Sequence, residues 1–582
     1  MINPFDYSTP DAIPAKDFID LFVPVFGEYY NVPSVGHTFI NGSRGSGKSM
    51  IFRYMMPDCQ SIVLKKPVSK LEYFALHIPI KEGSLAKTDL GLIENKHGEA
   101  LLNEHLMVIN FAIKIFSRLS EIDFELDRLA ENDFCNFYNV FFVNQLHYSG
   151  WEKINSIAED TSFKSIISMI LKDLDLINRD FTVNYLRKLI GALTPIPYTG
   201  AICTFWDFLF PILQELKTFT IFPQKAFFLL VDDADNLSLI QTKILNSWVS
   251  LRTTNDVCFK ISTQLKYKTY RTNNNSRIDT PHDYSEVNIS DIYTSKKGLY
   301  KSRVKEAIDR RLKKFGYRKL TAELFFPSDQ SQENKISEIF AKYKDEFGYD
   351  YAYRYSRPDF IKELQGNRNT YSYAGFDQLV NISSGTMREF IEFARRMFVR
   401  ELSRTAVKKP RFISHTIQDE EIKEYSSWYL NENFSTLKDD ICNNQSDDER
   451  FDKLKNLVES LGQVFHLILL SDVSERRIFS FALQNEPDKN LKDILDLGVV
   501  YGYFQSSTIG NKMGTGRTKL YILNRLLAPY YKLDPSSFAG YKFFTTEALN
   551  DAIYKPATFV RRVKTKGVSN FFDNSQQTLL EL

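Results

Sequence analysis

The chain has 582 residues, of which 43% are hydrophobic and 25% charged, a composition typical of a folded globular protein with roughly three or four domains. Its formal net charge of +2 at pH 7 excludes an overall field that favours nucleic acid or a membrane, so any polyanion site must be a local patch. The five cysteines lack paired metal or redox spacing and the N-terminus lacks a signal sequence, which predicts a cytoplasmic protein with reduced thiols and no membrane association.

The first motif along the chain is a glycine-rich loop, G-x-x-x-x-G-K-S, that joins a predicted strand at 37–41 to a predicted helix at 49–55. In such a loop the backbone N–H groups converge on a β-phosphate, Lys48 reaches the β- and γ-phosphates, and Ser49 reaches Mg²⁺. The alternative is a chance match in a Gly/Ser turn. The candidate nucleotide-binding residues are Gly42, Ser43, Arg44, Gly45, Ser46, Gly47, Lys48, Ser49 and Met50.

A second strand is predicted over 73–80, in the apolar stretch "YFALHIPI". From about 98 to 216 the apolar residues recur at helical spacing, which predicts a large helical insertion.

The stretch "AFFLLVDDADNLS" at 226–238 is an apolar strand that ends in Asp232 and Asp233. A carboxylate at the C-terminal end of a buried parallel strand can hold Mg²⁺, and the next acid can orient or deprotonate the attacking water. We therefore predict Asp232 as a metal ligand and Asp233 as the catalytic base, with Asp235 able to share that role. The alternative is a solvated acidic turn, but its combination with the glycine-rich loop indicates a P-loop NTPase.

Two later segments narrow the class: the apolar strand "VCFKISTQ" at 257–264 and the basic amphipathic helix in "NISSGTMREFIEFARRMF" at 381–398. With these motifs the sequence resembles the AAA+ superfamily, and within it the initiator and loader ATPases of the origin-recognition-complex type. The resemblance implies sensor 1 at Ser262, Thr263 or Gln264, of which Thr263 is the catalytic candidate. It implies sensor 2 at Gly385 and Arg388, where the arginine senses the γ-phosphate.

The sequence departs from this family at two points. The helical insertion is absent from the standard AAA+ core, and the acidic strand ends in Asp-Asp where most AAA+ enzymes have Asp-Glu. Asp-Asp is common in the related STAND ATPases, which bind ATP as a slow assembly switch. The proposed base Asp233 is therefore one methylene shorter than the glutamate of most AAA+ enzymes, a difference that concerns hydrolysis more than nucleotide binding.

The C-terminal region resembles a winged helix-turn-helix, with predicted helices in "RFDKLKNLVESLGQVFHLILL", "SERRIFSFALQN" and "NLKDILDLG" followed by a Gly-rich hairpin. No acid occurs between Leu497 and Leu533, so Lys512, Arg517 and Lys519 are the candidate DNA-binding residues. A second basic cluster follows at 555–566. The alternative is a protein-binding or autoinhibitory module with a solvated charge run.

The predicted fold is an α/β P-loop NTPase core with an AAA+ parallel sheet, a large helical insertion, an α-helical lid and a C-terminal winged helix. The predicted domains are a core at 1–299, a lid and connector at 300–442, a winged helix at 443–550 and a basic tail at 551–582. With ATP and Mg²⁺ as cofactors, the expected protein is an ATPase that acts as a switch or assembly factor on DNA or a partner effector in bacterial antiphage defence.

Two alternatives stay open: a DNA-binding initiator or loader of replication or a mobile element, and a scaffold that binds ATP without hydrolysing it. The expected partners are other copies of the chain or a separate effector protein, together with possible DNA.

Overall fold

The structure is a computed structural model, and it falls into two compact units. The N-terminal unit comprises 8–42 and 47–289, and the C-terminal unit comprises 1–7, 43–46 and 290–582. The residues that the structure describes are 3–6, 10, 13–23, 31–81, 96–124, 126, 128–153, 157–158, 161–190, 196–251, 253–264, 267–289, 297–365, 370–405, 409–442, 449–510, 517–536 and 540–577.

A five-stranded parallel sheet forms the centre of the N-terminal unit, with the strand order β2-β3-β4-β1-β5. The strands β2, β3 and β4 are mainly apolar, and nearly all of their residues are buried, as expected for a parallel sheet covered on both faces. The first four strands lie where the sequence predicts them, whereas the short edge strand β5 was not predicted. The strands are β1 Thr38–Asn41, β2 Phe74–Pro79, β3 Phe227–Asp232, β4 Val257–Thr263 and β5 Ser285–Asn288.

The region between β2 and β3 is helical, as its periodicity predicts. Its longest helix packs against β2, and side chains such as Phe111 and Phe116 are completely buried in the core of the unit. The stretch Gly98–Glu121 of this helix is long and apolar enough to cross a membrane by length and composition alone, but most of it is buried in the fold.

The helices of the N-terminal unit are Ala15–Leu21, Lys48–Met55, Pro57–Leu64, Lys96–Glu121, Arg128–Asn136, Val143–Tyr148, Phe163–Arg179, Leu186–Ile190, Phe210–Thr218 and Leu239–Ser250. Three π-helical segments, Phe137–Phe142, Asp180–Tyr185 and Phe205–Leu209, and two short 3₁₀ turns, Val68–Lys70 and Ala234–Asn236, complete it.

The C-terminal unit is mainly helical. The polar stretch 327–335 runs into a long helix, Gln330–Phe347, where the N–H of Gln332 donates a capping hydrogen bond to the carboxylate of Asp329. The helices are Lys297–Lys314, Ala322–Phe325, Gln330–Phe347, Tyr349–Glu363, Phe376–Ile382, Met387–Thr405, His415–Cys442, Arg450–Leu470, Lys489–Val500, Ala528–Tyr531, Thr546–Tyr554, Pro556–Lys566 and Val568–Gln577, with a 3₁₀ turn at Arg525–Leu527.

A second sheet, in the order β7-β8-β6-β9, lies near the end of the chain. The hairpin of β7 and β8 is antiparallel, as predicted, but the predicted helix "SERRIFSFALQN" is wrong because this segment forms β6. Six successive buried residues fit a strand, and such a short apolar run does not distinguish the two structures by periodicity. The strands are β6 Ile478–Leu483, β7 Phe504–Gly510, β8 Arg517–Leu523 and β9 Gly540–Phe544.

Candidate nucleotide site

The glycine-rich loop follows β1 directly and ends at the helix that begins with Lys48. Gly45 and Gly47 have φ angles of 82° and 105°, in the left-handed region where a side chain would be strained, so glycine is required at both positions. The ammonium of Lys48 donates a hydrogen bond of 2.8 Å to the carbonyl of Gly42, at the beginning of the loop. The loop therefore has the backbone form that turns successive N–H groups toward an anion.

Asp232 is the best-connected acid at the carboxyl edge of the sheet, and only 3% of it is exposed. One carboxylate oxygen accepts hydrogen bonds from the hydroxyl of Ser262 and, at 3.1 Å, from the N–H of Asp233. The other oxygen lies 3.2 Å from Nε2 of His77, on the neighbouring strand β2. Burial alone would raise the pKa of Asp232, but hydrogen bonds from His77, Ser262 and Ser49 together hold this pKa below its ordinary value.

The contact between Ser49 and Asp232 brings together the two residues predicted to hold the metal. Mg²⁺ in nucleotide sites is bound by one or two protein oxygens, phosphate oxygens and water. The hydroxyl of Ser49 and the carboxylate of Asp232 are protein oxygens of this kind, so the residues present fit such a site. Among the described residues no cluster of three or more His, Cys, Asp or Glu could hold a metal ion.

Asp233 has a left-handed backbone, with φ of 54° and ψ of 48°, which is uncommon for a residue other than glycine. Its N–H donates a hydrogen bond of 2.9 Å to the hydroxyl of Ser262, and its carboxylate lies 3.5 Å from the side-chain amide of Gln264. Such backbone conformations cluster at functional sites.

The ammonium of Lys48 is buried beside three carboxylates, those of Asp232, Asp233 and Asp235. Burial lowers the pKa of Lys48, and the carboxylates oppose this shift by favouring the charged form. Asp235 accepts a hydrogen bond from the N–H of Gln264, while burial raises the pKa of its carboxyl group. This edge thus combines the Lys48 ammonium, the hydroxyls of Ser49 and Ser262 and three acids, residue types that P-loop NTPases use around phosphate and metal.

The family model described as ORC-CDC6-like matches residues 3–350 and 342–543. The chain belongs to the ORC-CDC6-like family. Members of this AAA+ family are P-loop ATPases.

Two solved structures align with most of the chain. The Orc1 protein of Aeropyrum pernix in complex with DNA is 9% identical over 95% of this chain and 96% of that chain, with a TM-score of 0.25. Cdc6p from Pyrobaculum aerophilum is 11% identical over 91% of this chain and 96% of that chain, with a TM-score of 0.23. No curated protein matches the sequence. Because both TM-scores are low, the family assignment rests on the family model.

The three sensor 1 candidates have different partners. The hydroxyl of Thr263 donates a hydrogen bond of 2.6 Å to Asn41 at the end of β1, and the amide of Asn41 donates to Glu286 of β5. Ser262 contacts Asp232, and Gln264 is the candidate whose side chain approaches Asp233. Thr263 is therefore bonded to β1 and not to the acidic pair.

Sequence reasoning missed His77 and the pair of Asn41 and Glu286. His77 is the one histidine in the apolar stretch predicted as the second strand. A polar residue close to the carboxyl end of a buried parallel strand is a signal that could have identified it.

Arg388 is the second residue of the helix Met387–Thr405 in the C-terminal unit. Loop residues 43–46 belong to the same unit, and a Cβ atom built on Gly45 would lie 2.9 Å from Cβ of Arg388 and 3.1 Å from Cγ2 of Thr386. A larger residue at position 45 would therefore displace the start of this helix. Ser384 and Gly385, with φ of 53° and 83°, form a left-handed turn before it.

The candidate DNA-binding residues differ in their surroundings. Arg517 is exposed on β8, whereas the ammonium of Lys519 lies 3.0 Å from the carboxylate of Asp496 and 5.0 Å from the ring centre of Tyr521. Lys512 lies outside the described residues. Arg525 belongs to the same acid-free stretch but is only 1% exposed.

Proposed function

We propose that the protein binds ATP with Mg²⁺ and hydrolyses it, and that the nucleotide state sets a conformational switch. The main support for this proposal is the cluster of Lys48, Ser49 and Asp232 at the carboxyl edge of the sheet. The cluster adjoins a loop with two left-handed glycines, which a phosphate-binding loop needs. Lys48 would neutralise the β- and γ-phosphates, and Ser49 with Asp232 would hold the metal. Bound Mg²⁺ would supply charge neutralisation of the phosphate oxygens.

Asp233 and Gln264 are suited to orient and activate the attacking water. Asp233 would accept the proton of the attacking water, and the amide of Gln264 would hold the Asp233 carboxylate in place. On these contacts we assign the sensor 1 role to Gln264 in place of Thr263. His77 would keep Asp232 oriented from the side of β2.

The proposed switch runs through the C-terminal unit. Arg388 would bind the γ-phosphate, because a guanidinium forks onto phosphate oxygens. The turn that precedes this helix is hydrogen-bonded to the region of the second sheet. The amide of Gln505 donates to the carbonyl of Ser384, and the N–H of Arg525 donates at 3.3 Å to the hydroxyl of Ser384. A shift of this helix would therefore reach β7 and the segment after β8, which is the physical link that a nucleotide switch needs.

Calorimetry with ATP and Mg²⁺ tests the nucleotide site. Lys48→Ala should abolish tight binding, because the buried ammonium that would neutralise the β- and γ-phosphates is lost. Lys65→Ala is the matched control, since Lys65 is exposed and follows the next helix. Wild-type affinity in the Lys48 variant would mean that the loop is not the nucleotide site.

We propose that the switch acts on DNA or on a partner effector protein. An initiator or loader of replication is as compatible with the family as the hypothesis of antiphage defence. Mass photometry with ATP, with ADP and without nucleotide tests whether the chain assembles. A DNA affinity that depends on ATP would favour the initiator, and ATP-driven association with a second protein would favour an effector partner.

A further inference from the structure

The helix Pro556–Lys566, here the basic helix, is anchored to the C-terminal unit along one side. Phe559 and Val563 are 1% and 0% exposed, and the helix packs against Arg450–Leu470 and Thr546–Tyr554. The ring of Phe559 also lies edge-on to Phe571, with 6.0 Å between the ring centres. The sequence predicts this region as part of a basic tail at 551–582, and the structure shows that it has a packed inner face.

The outer face of the basic helix is uniformly positive. No Asp or Glu occurs from 552 to 572. Arg562 lies 2.8 Å from Asp551, while the other four cations have no ion pair with any described residue. The five exposed basic residues on this helix and its N-cap are Lys555, Arg561, Arg562, Lys564 and Lys566.

The described part of the β7–β8 hairpin contributes one exposed cation that has no ion pair with a described residue, Arg517. Lys519 is paired with Asp496, and Arg525 is buried with its guanidinium 4.9 Å from the ring centre of Phe479. The helix Lys489–Val500, which packs against β7, exposes both Lys492 and Asp493. The opposite charges of Lys492 and Asp493 largely cancel, whereas the charges on the basic helix all have the same sign.

We propose that the exposed face of the basic helix binds the phosphate backbone of duplex DNA. At about 1.5 Å per residue the helix and its N-cap span about 18 Å, along which each DNA strand presents a phosphate every ~3.4 Å of axis. The exposed hydroxyls of Thr558 and Thr565 lie among the cations and can donate to phosphate oxygens. The surface goes beyond the proposed ATPase switch and does not depend on hydrolysis.

A membrane is a poorer match for this surface. Amphipathic helices that bind membranes insert an apolar face next to their basic one. Here Phe559 and Val563 are buried in the protein and Val560 is half-buried, so no fully exposed large apolar side chain lies on this helix. The exposed face offers charge and hydroxyls, which suit a phosphate backbone.

Fluorescence anisotropy of the full chain on two duplexes of unrelated sequence, at several salt concentrations, tests the proposal. Each phosphate contact contributes roughly 0.9 to the slope of log affinity against log salt. The variant Arg561→Gln, Lys564→Gln, Lys566→Gln should therefore flatten that slope by up to about 2.7 and weaken both duplexes equally. The matched control, Arg517→Gln with Lys519→Gln on β8, should change the slope by less than about 1.

Three results would overturn the proposal: no duplex binding by the wild type at low salt, an unchanged slope in the triple variant, or a larger change in the β8 variant. Binding to phosphatidylserine vesicles that is lost in the triple variant, without duplex binding, would overturn it in favour of a membrane. Calorimetry with ATP on the same preparations keeps the two proposals separable. Both sets of variants should bind ATP as the wild type does, whatever the anisotropy shows.

Discussion

The helical insertion of the N-terminal unit contains a histidine whose protonation should destabilise it. His105 is 1% exposed, and its Nδ1 accepts a hydrogen bond of 3.0 Å from the N–H of Cys203. Burial lowers the pKa of His105 from 6.5 to about 4. Protonation would also convert Nδ1 from an acceptor to a donor that faces another donor.

The sign follows from the direction of this shift. Because the pKa is lower in the folded state, the unfolded chain binds more protons between pH 6.5 and about 4, and stability is lost as the pH falls through this window. Linkage with these two pKa values gives a loss of about 2 kcal/mol between about pH 7.5 and about pH 5. Burial likewise lowers the pKa of His37 to about 4. His37 should therefore also reduce the free energy of unfolding as the pH falls through this window.

The variant His105→Asn isolates the contribution of His105, since an amide oxygen can still accept from Cys203 but does not titrate. Thermal unfolding should show a difference between wild type and variant that narrows by about 2 kcal/mol, or about 4–8 °C, from about pH 7.5 to about pH 5. His147→Asn, at an exposed position, is the control and should leave the pH profile unchanged. Parallel profiles for wild type and His105→Asn would falsify the reasoning.

The remaining predictions concern the nucleotide site. Asp232→Asn should weaken Mg²⁺-dependent ATP binding, and Asp233→Asn should preserve binding but slow phosphate release at least tenfold, as measured by calorimetry and a phosphate assay; undiminished hydrolysis in both would contradict the assigned roles. Gln264→Ala should lower turnover more than Thr263→Val does, and the reverse order would restore Thr263 as sensor 1. Arg388→Ala should bind ATP but lose the difference in protease sensitivity between ATP and ADP states, and a wild type without such a difference would refute the switch.

The sequence predicted the nucleotide loop and the acidic strand because each is a continuous segment. In the loop, Gly47 and Lys48 are fixed in relation to each other by local backbone geometry, and the apolar run before Asp232 identifies a buried parallel strand. That both motifs meet at one edge follows from the rule that parallel strands place their carboxyl ends together. These inferences did not require the order of the strands.

The contacts between strands were not predictable in this way. His77 reaches Asp232 because β2 pairs with β3 in one register, and Thr263 reaches Asn41 because β4 pairs with β1. Neither pairing is encoded in a local pattern. The misassigned β6 has a related cause, since its six buried residues, five of them apolar, fit both a strand and a buried helix until the neighbouring strands are known.

The surroundings of Asp233 and Asp235 bear on whether the proposed base, which is one methylene shorter than glutamate, could support hydrolysis. The N–H of Asp233 donates hydrogen bonds to the carboxylate of Asp232 and the hydroxyl of Ser262. Its backbone is left-handed, and the side-chain amide of Gln264 lies 3.5 Å from its carboxylate. Two residues on, Asp235 is bonded to the N–H of Gln264, and one of its buried carboxylate oxygens has no hydrogen-bond partner among the described residues. Because burial raises the pKa of Asp235, its carboxylate is a stronger base than an exposed aspartate. An acid of this kind beside Asp233 can receive a proton that Asp233 takes from water, so the missing methylene relative to glutamate need not abolish hydrolysis.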